Sequence, residues 1–146
     1  MKNITLISGS TLGSAESLVE HLAKILEKEG KCTQVMHGPM LEELSLDGTW
    51  IIVSSTHGSG ELPENLQPFF DELSEKQANL SSINYGAVGI GNREYDNFCG
   101  AIDKIDKLFH RLGARQIIRT LKINVLDDAL PESLAEKWLK SWKIST

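Results

Sequence analysis

The order of apolar segments constrains the fold of this chain more than any other feature of its sequence. Nearly continuous apolar runs stand at Ile4–Ile7, Trp50–Val53 and Tyr85–Gly91, and such runs are typical of strands buried on both faces. Each is followed by a segment whose apolar residues recur every three or four positions, the period of an amphipathic helix. Strands that alternate with helices indicate a parallel sheet covered on both faces. We therefore predict a doubly wound α/β domain with five strands.

The boundaries of the helices and strands are placed where each pattern of apolar residues begins and ends. Gly30 is a stop signal for the first helix, and Pro63 precedes the second. Trp138 and Trp142 lie one helical turn apart on the last helix and are interpreted as core aromatics. The predicted strands are residues 4–8, 32–36, 50–53, 85–91 and 117–125, and the predicted helices run from 14 to about 28, around 66–73, from 98 to 112 and from 134 to 142.

Composition places the chain among soluble globular proteins and excludes several function classes. The 146 residues suit one domain, 1–146, and the net charge of −5 argues against nucleic-acid binding. No apolar stretch approaches the roughly 20 residues that span a bilayer, and the amino terminus lacks a signal-peptide layout. Cys32 and Cys99 form neither a disulfide framework nor a metal-ligand spacing. We interpret them as free thiols, which indicates a cytoplasmic protein.

The first strand ends in a loop rich in glycine and hydroxyl side chains. Residues 8–14 read Ser-Gly-Ser-Thr-Leu-Gly-Ser and lead directly into the first helix. Backbone N–H groups at a helix N-terminus favour an anion, so this loop predicts a site for one phosphate. It has neither the lysine of a Walker loop nor the dinucleotide-binding glycine pattern. The alternative is a serine-rich helix cap without a ligand.

Two further strands end in loops of unusual composition. Thr56-His57-Gly58 follows the third strand, and residues 91–98 with Tyr95 follow the fourth. Ligands of open α/β sheets bind beyond the carboxyl ends of the strands, so we expect these loops to meet at one edge. There His57 and Tyr95 are candidates to stack on a flat ring. The alternatives are a structural histidine and a surface tyrosine.

At these residues the chain resembles the flavodoxin family of FMN-binding electron carriers. Residues 10–16 resemble the family's Ser/Thr-x-Thr-Gly-x-Ala-Glu pattern, residues 55–65 the segment over the inner flavin face, and residues 91–99 the segment whose tyrosine covers the outer face. The resemblance implies a flavodoxin-like sheet of order 2-1-3-4-5 and an FMN site. The residues that it assigns to FMN are Ser10, Thr11, Leu12, Gly13, Ser14, Ala15, Ser55, Thr56, His57, Gly58, Ser59, Gly91, Asn92, Tyr95, Asp96, Phe98 and Cys99.

Within the family the chain is similar to the MioC proteins. Shared features include Ile-Ser-Gly-Ser-Thr-Leu-Gly and the closing Trp-Leu-x-Ser-Trp. This similarity implies an electron carrier between a flavodoxin reductase-type donor and an acceptor enzyme, with biotin synthase as the candidate acceptor. Leu12 stands where flavodoxins usually have a threonine, and His57 replaces the inner aromatic. Both departures predict weaker FMN binding.

Two alternatives to an electron carrier stay open. One is a stand-alone flavin-dependent reductase, although the sequence has no nicotinamide-binding motif. The other is a flavin-free binding module, although the acidic pocket of a response regulator is missing after the first strand. For a carrier, acidic residues near the second and third loops would steer a basic partner. These residues are Glu61, Glu64, Asp71, Glu72, Glu94, Asp96 and Asp103, with Asp127 as a further acid near the flavin, whereas His21, His37 and His110 are assigned to the surface or to packing.

Overall fold

A computed structural model of the chain describes residues 4–10, 13–56, 60–92, 99–125 and 130–141. Within these ranges no helix is long and apolar enough to cross a membrane. The strands are β1 (Ile4–Gly9), β2 (Thr33–His37), β3 (Gly48–Ser55), β4 (Ile83–Gly91), β5 (Arg115–Gln116) and β6 (Leu121–Asn124). The helices are α1 (Ser14–Lys28), α2 (Gln67–Lys76), α3 (Gly100–Arg111) and α4 (Pro131–Lys140), with a short 3-10 turn at Leu41–Glu43.

The strands form one parallel sheet in the order β2-β1-β3-β4-β5, and β6 also pairs with β4. Every strand pair is parallel. Both the doubly wound architecture and the predicted order are therefore confirmed.

The two faces of the sheet are buried under different helices. Along β1 and β3, alternate side chains point to opposite faces: Ile7 and Ile52 join the core under α2 and α3, while Leu6 and Ile51 join the core under α1 and α4. All of these side chains are buried. The apolar runs in the sequence are nearly continuous because helices cover both faces of the sheet.

The helix stop predicted at Gly30 is confirmed. Gly30 has a left-handed backbone with φ 83°, and its N–H donates to the carbonyl of Glu27. The next residue, Lys31, donates its N–H to the carbonyl of Leu26. These bonds satisfy carbonyls at the end of α1 that have no partner within the helix.

The small residues of β4 allow helices to pack closely on both of its faces. A Cβ at Gly86 would lie 2.7 Å from Ile118 Cγ2 and 2.9 Å from the Trp138 ring, and a Cβ at Gly89 would lie 2.5 Å from Ile102 Cγ2. Such separations are too short for real side chains. The glycines of β4 are therefore required for the close packing of α3 and α4 against the sheet.

The fifth position of the sheet differs from the expected single strand over 117–125. It is filled by β5 and β6, which are separated by residues 117–120. In that interval Ile118 packs into the space above Gly86, the Arg119 carbonyl accepts a hydrogen bond from Trp138 Nε1 at 2.8 Å, and the Thr120 hydroxyl donates to Asp106 at 2.7 Å. The strand is interrupted where residues 118–120 make these contacts. The last helix also begins earlier than predicted, at Pro131, because proline suits the first helical position.

Candidate functional site

The carboxyl ends of β1, β3 and β4 meet at one edge of the sheet, as predicted. In the register of the sheet, Gly9 of β1 lies opposite Ser54 of β3, and Ser54 lies opposite Gly89 of β4. The alignment of β3 with β4 extends one residue past the end of β3, because the Thr56 N–H donates to the carbonyl of Ile90 at 2.9 Å. The first residues of the three predicted loops therefore lie side by side.

The loop between β1 and α1 is ordered by a short chain of hydrogen bonds. Ser10 is buried, and its hydroxyl donates to Glu16 Oε2 at 2.7 Å. The same hydroxyl oxygen accepts the N–H of Gly13 at 3.0 Å. Glu16 also accepts a hydrogen bond from Asn65 Nδ2 at 3.4 Å, which links this loop to the segment before α2.

The N-terminus of α1 is open to an anion. Gly13 is its N-cap residue, with a left-handed backbone and no side chain that could cap the helix. The first N–H groups of a helix have no carbonyl partner within it, and here they follow Gly13 at exposed Ser14 and buried Ala15. This donor set and the helix dipole fit a phosphate. Thr11 and Leu12 lie outside the described residues.

The segment after β3 contains a buried hydroxyl without a partner. Thr56 Oγ1 is shielded from solvent and has no hydrogen-bond partner in the described part of the chain. A buried polar group in this state costs about 1–3 kcal/mol, and a ligand that bonds to it would recover that cost. Ser54 differs, because its hydroxyl donates to the carbonyl of Ser55 at 2.8 Å. His57, Gly58 and Ser59 lie outside the described residues.

The segment after β4 is described only at its two ends. Gly91 and Asn92 are partly exposed at the edge of the sheet, and the Gly91 carbonyl accepts the N–H of Val125 at 2.8 Å. Cys99 is buried at the N-terminus of α3, and its thiol donates weakly to the carbonyl of Ile123 at 4.0 Å. The remaining assigned residues, Tyr95, Asp96 and Phe98, lie outside the described residues.

The acidic residues near the site fall into two groups. Glu61 and Glu64 are exposed where the chain leads from β3 to α2. Glu72 instead accepts the N–H of Leu41 and forms an ion pair with Lys76. The hydrogen bond from Leu41 makes the largest contribution, followed by Lys76, and together they hold the pKa of Glu72 below its usual value. Paired acids contribute less to a negative surface than unpaired ones.

Asp103 is a second paired acid, because it forms an ion pair with Lys122 at 2.9 Å. Asp71 is exposed and accepts a hydrogen bond from Gln67 at 2.8 Å. Glu94, Asp96 and Asp127 lie outside the described residues.

The histidines outside the loops make local contacts, in keeping with their assignment to the surface or to packing. His21 pairs with Glu136 at 2.6 Å and joins α1 to α4, and His110 contacts Gln116 at 3.0 Å. His37 hydrogen-bonds to the buried hydroxyl of Ser8 across the β1–β2 pair.

Trp138 is a core aromatic as predicted, since it is buried between α4 and the sheet. Trp142 lies outside the described residues.

The sequence pattern predicts no role for Glu16 or Asn65, although both stand within the segments that carry the resemblance. Their contact joins positions 49 residues apart, which spacing alone cannot reveal. The signal that could have found Glu16 is its place in the first turn of a helix next to a serine-rich loop, where a carboxylate can accept hydroxyl and backbone donors.

Comparison with known proteins decides the family. The family model described as Flavodoxin matches residues 6–138. This chain belongs to the flavodoxin family. It is 56% identical over 142 residues to Protein MioC of Escherichia coli, with 97% of each chain covered, and 46% identical over 140 residues to the MioC homolog of Haemophilus influenzae, with 96% of each covered.

Solved structures agree with this membership. A cysteine-to-alanine variant of a flavodoxin from Pseudomonas aeruginosa matches with a TM-score of 0.85 and 31% identity over 95% of each chain. A flavodoxin from Streptococcus pneumoniae matches with a TM-score of 0.78 and 26% identity, covering 95% of this chain and 99% of the other. Flavodoxins bind FMN and carry electrons, and this MioC-like chain is an FMN-binding electron carrier of that family.

Proposed function

We propose that this protein carries electrons from a flavodoxin reductase-type donor to an acceptor enzyme, with FMN held at the carboxyl edge of β1, β3 and β4. The supporting observation is that the open N-terminus of α1 at Gly13 shares this edge with the Thr56 hydroxyl, which has no hydrogen-bond partner among the described residues. The backbone N–H groups of α1 suit an anion, and the Thr56 hydroxyl suits a polar atom of the same ligand.

The phosphate of FMN is assigned to the loop 10–15. Ser10 shapes this loop, and the N–H groups after Gly13 donate to the phosphate oxygens. Thr11 adds a hydroxyl, whereas Leu12 and Ala15 offer only backbone. A phosphate held by neutral donors is selective for FMN over riboflavin, because riboflavin leaves the N-terminus of α1 without an anion.

The ring of FMN is assigned to the space between the second and third loops. Ser55, Thr56 and residues 57–59 would line one face, and residues 91–92, 95–96 and 98–99 the other. His57 and Tyr95 are the side chains that would stack on the ring. When bound, the isoalloxazine ring supplies the redox chemistry, and the protein supplies binding, orientation and electrostatics.

Exposed acids beside the site support a protein partner with a basic surface. Glu61 and Glu64 are exposed in the segment after β3, and Glu94 and Asp96 bring further negative charge into the third loop. Charges of this kind act mainly on the rate of encounter. The similarity to MioC proteins nominates biotin synthase as the acceptor.

We also propose that residues 1–146 act as one flavodoxin-like domain in the cytoplasm. Exposed Cys32 and buried Cys99 form no disulfide, which suits a reducing compartment. Detection of the protein in the soluble cytoplasmic fraction of the cell, and not in the periplasm or membrane, tests the location.

Calorimetry with FMN and with riboflavin tests the site. We expect one FMN per chain and at least tenfold weaker binding of riboflavin, since phosphate contacts of about 1.4 kcal/mol or more are lost. Equal affinity for the two flavins would contradict the phosphate assignment, and no binding of either would contradict the function. Rapid NADPH oxidation by the FMN-loaded protein alone would support the flavin-dependent reductase instead.

A further inference from the structure

We propose that Glu16 is a positioning residue for the phosphate loop and holds it in the conformation that opens the N-terminus of α1 to FMN. Glu16 contacts residues on both sides of it, Ser10 and Asn65. The inference rests on the proposed FMN site and adds to it the residue that fixes the shape of the loop.

Glu16 fixes the orientation of the Ser10 hydroxyl. A serine hydroxyl rotates freely unless a partner fixes its hydrogen. Here the hydrogen points to Glu16 Oε2 at 2.7 Å, within the range of a charge-assisted bond. Ser10 is buried, so water cannot easily replace the carboxylate. Glu16 therefore determines which way the lone pairs of Ser10 point.

Ser10 in turn contacts the residue that begins the helix. With its hydrogen on Glu16, the Ser10 oxygen accepts the N–H of Gly13 at 3.0 Å. This bond turns the Gly13 amide into the loop and accompanies the left-handed backbone from which α1 starts. The first N–H groups of a helix have no carbonyl partner within it, so those that follow Gly13 are available at the helix end, where the phosphate is assigned.

Glu16 is also linked to Asn65. This residue lies just before α2, and its side-chain amide donates to Glu16 Oε1 at 3.4 Å. Nearby, a Cβ at Gly9 would lie 2.6 Å from Leu66 Cβ, so β1 and the start of α2 are already packed closely. Glu16 is thus held from a second element, which restricts its side chain in the position that Ser10 needs.

The experiment measures affinity for FMN and for riboflavin in the parent protein and in Glu16→Ala and Glu16→Gln. Glu16→Ala should weaken FMN about tenfold, the loss of one charge-assisted hydrogen bond, and change riboflavin less than about twofold. Glu16→Gln should stay within about threefold of the parent, because its amide oxygen can still accept the Ser10 hydroxyl and Asn65 can turn its own amide.

Two controls separate positioning from general stability. Glu20→Ala removes an exposed carboxylate one turn further along α1 and should leave both affinities unchanged. In a Ser10→Ala background, Glu16→Ala should lose most of its effect on FMN, because Glu16 acts through Ser10. Thermal unfolding of each apoprotein confirms that the variants fold.

The outcomes distinguish this inference from the function on which it rests. If the parent protein binds no FMN, the proposed function fails. If the parent binds FMN but Glu16→Ala weakens FMN and riboflavin equally, or neither, the positioning role is wrong and the FMN site stands. A full effect of Glu16→Ala in the Ser10→Ala background, or a tenfold loss in Glu16→Gln, would also overturn the positioning role.

Discussion

Gly13 and Gly30 hold nearly the same left-handed backbone at the two ends of α1, with φ angles of 85° and 83°. A Cβ at Gly13 would make an ordinary contact of 3.6 Å with Glu16, and one at Gly30 would meet no atom within 4 Å. A side chain at either position is therefore opposed by backbone strain rather than by crowding. The two glycines differ in that only Gly13 lies at the proposed phosphate site.

This pair gives the first prediction. Gly13→Ala and Gly30→Ala should each lower the unfolding free energy of the apoprotein by about 1–2 kcal/mol, the cost of left-handed backbone for a residue with a Cβ. Only Gly13→Ala should weaken FMN, by about tenfold, because the new methyl group and the strained turn disturb the N–H donors. Denaturant unfolding and FMN titration measure the two effects. Equal FMN affinities in the two variants would show that the N-terminus of α1 at Gly13 does not hold the phosphate.

The second prediction concerns the buried hydroxyl of Thr56. Thr56→Val removes a buried polar atom that has no bond to lose in the described part of the apoprotein, so the unfolding free energy should stay level or rise by up to about 1 kcal/mol. FMN affinity should fall about five- to tenfold. Thr120→Val is the matched control, since Thr120 donates to Asp106 and accepts from Gln116. It should destabilise the protein and leave FMN affinity unchanged, and the reverse pattern would contradict the assignment of Thr56.

A polar network lies at the opposite end of β4 from the proposed site. The buried Tyr85 hydroxyl donates to Asp106 Oδ1 at 3.0 Å, and Thr120 donates to the other oxygen of the same carboxylate at 2.7 Å. Burial of the ring, followed by the negative charge of Asp106 and the hydrogen bond to it, raises the pKa of Tyr85 above its usual value near 10. The neutral phenol is therefore favoured by folding.

The third prediction follows from the sign of this shift. A group with a raised pKa in the folded state stabilises the fold below its unfolded pKa, and this contribution is lost as the pH rises above about 10. Tyr85→Phe should cost roughly 1–2 kcal/mol at pH 7 and should reduce the further loss of stability between pH 9 and 11.5. Denaturant unfolding across that range measures both. An alkaline loss as steep in Tyr85→Phe as in the parent would contradict the prediction.

The fourth prediction concerns the exposed acids Glu61 and Glu64. A Glu61→Lys, Glu64→Lys variant should be reduced more slowly by flavodoxin reductase at low salt, with FMN affinity within about twofold of the parent. The difference should shrink as salt rises, because screening at physiological ionic strength acts beyond about 8 Å. Glu29→Lys, Glu75→Lys changes the net charge equally, at exposed positions near the C-terminal ends of α1 and α2. Equal rates for the two double variants would show that net charge alone controls the encounter.

Most of the fold was predictable because its cause is local. Strands buried on both faces require continuous apolar runs such as Trp50–Val53. Amphipathic helices require an apolar residue every three or four positions. Strands and helices of these kinds can therefore be recognised in the sequence. The division of the fifth strand was not predictable, because it depends on Trp138 reaching the Arg119 carbonyl and on Thr120 reaching Asp106. The apolar period of residues 117–125 contains no information about these distant partners.

The meeting of the three candidate-site loops at one edge of the sheet was also predictable. Loops at strand ends are recognisable by their glycine and hydroxyl content, and the register of the sheet brings them together. The lack of a partner for Thr56 among the described residues and the link of Glu16 to Asn65 depend on burial and on contacts across the chain. Residue type and spacing cannot supply either, which is why the sequence assigned Thr56 by resemblance and gave Glu16 no role.

The central claim is that this protein carries electrons through bound FMN and needs other proteins as donor and acceptor. The direct measurement follows the visible absorbance of the anaerobic FMN-loaded protein with NADPH, then with a catalytic amount of flavodoxin reductase, then with cytochrome c as acceptor. We expect no change with NADPH alone, loss of the flavin absorbance on addition of the reductase, and its recovery with matching reduction of cytochrome c. Reduction by NADPH without the reductase, or no passage of electrons to cytochrome c from FMN-loaded protein, would contradict the account.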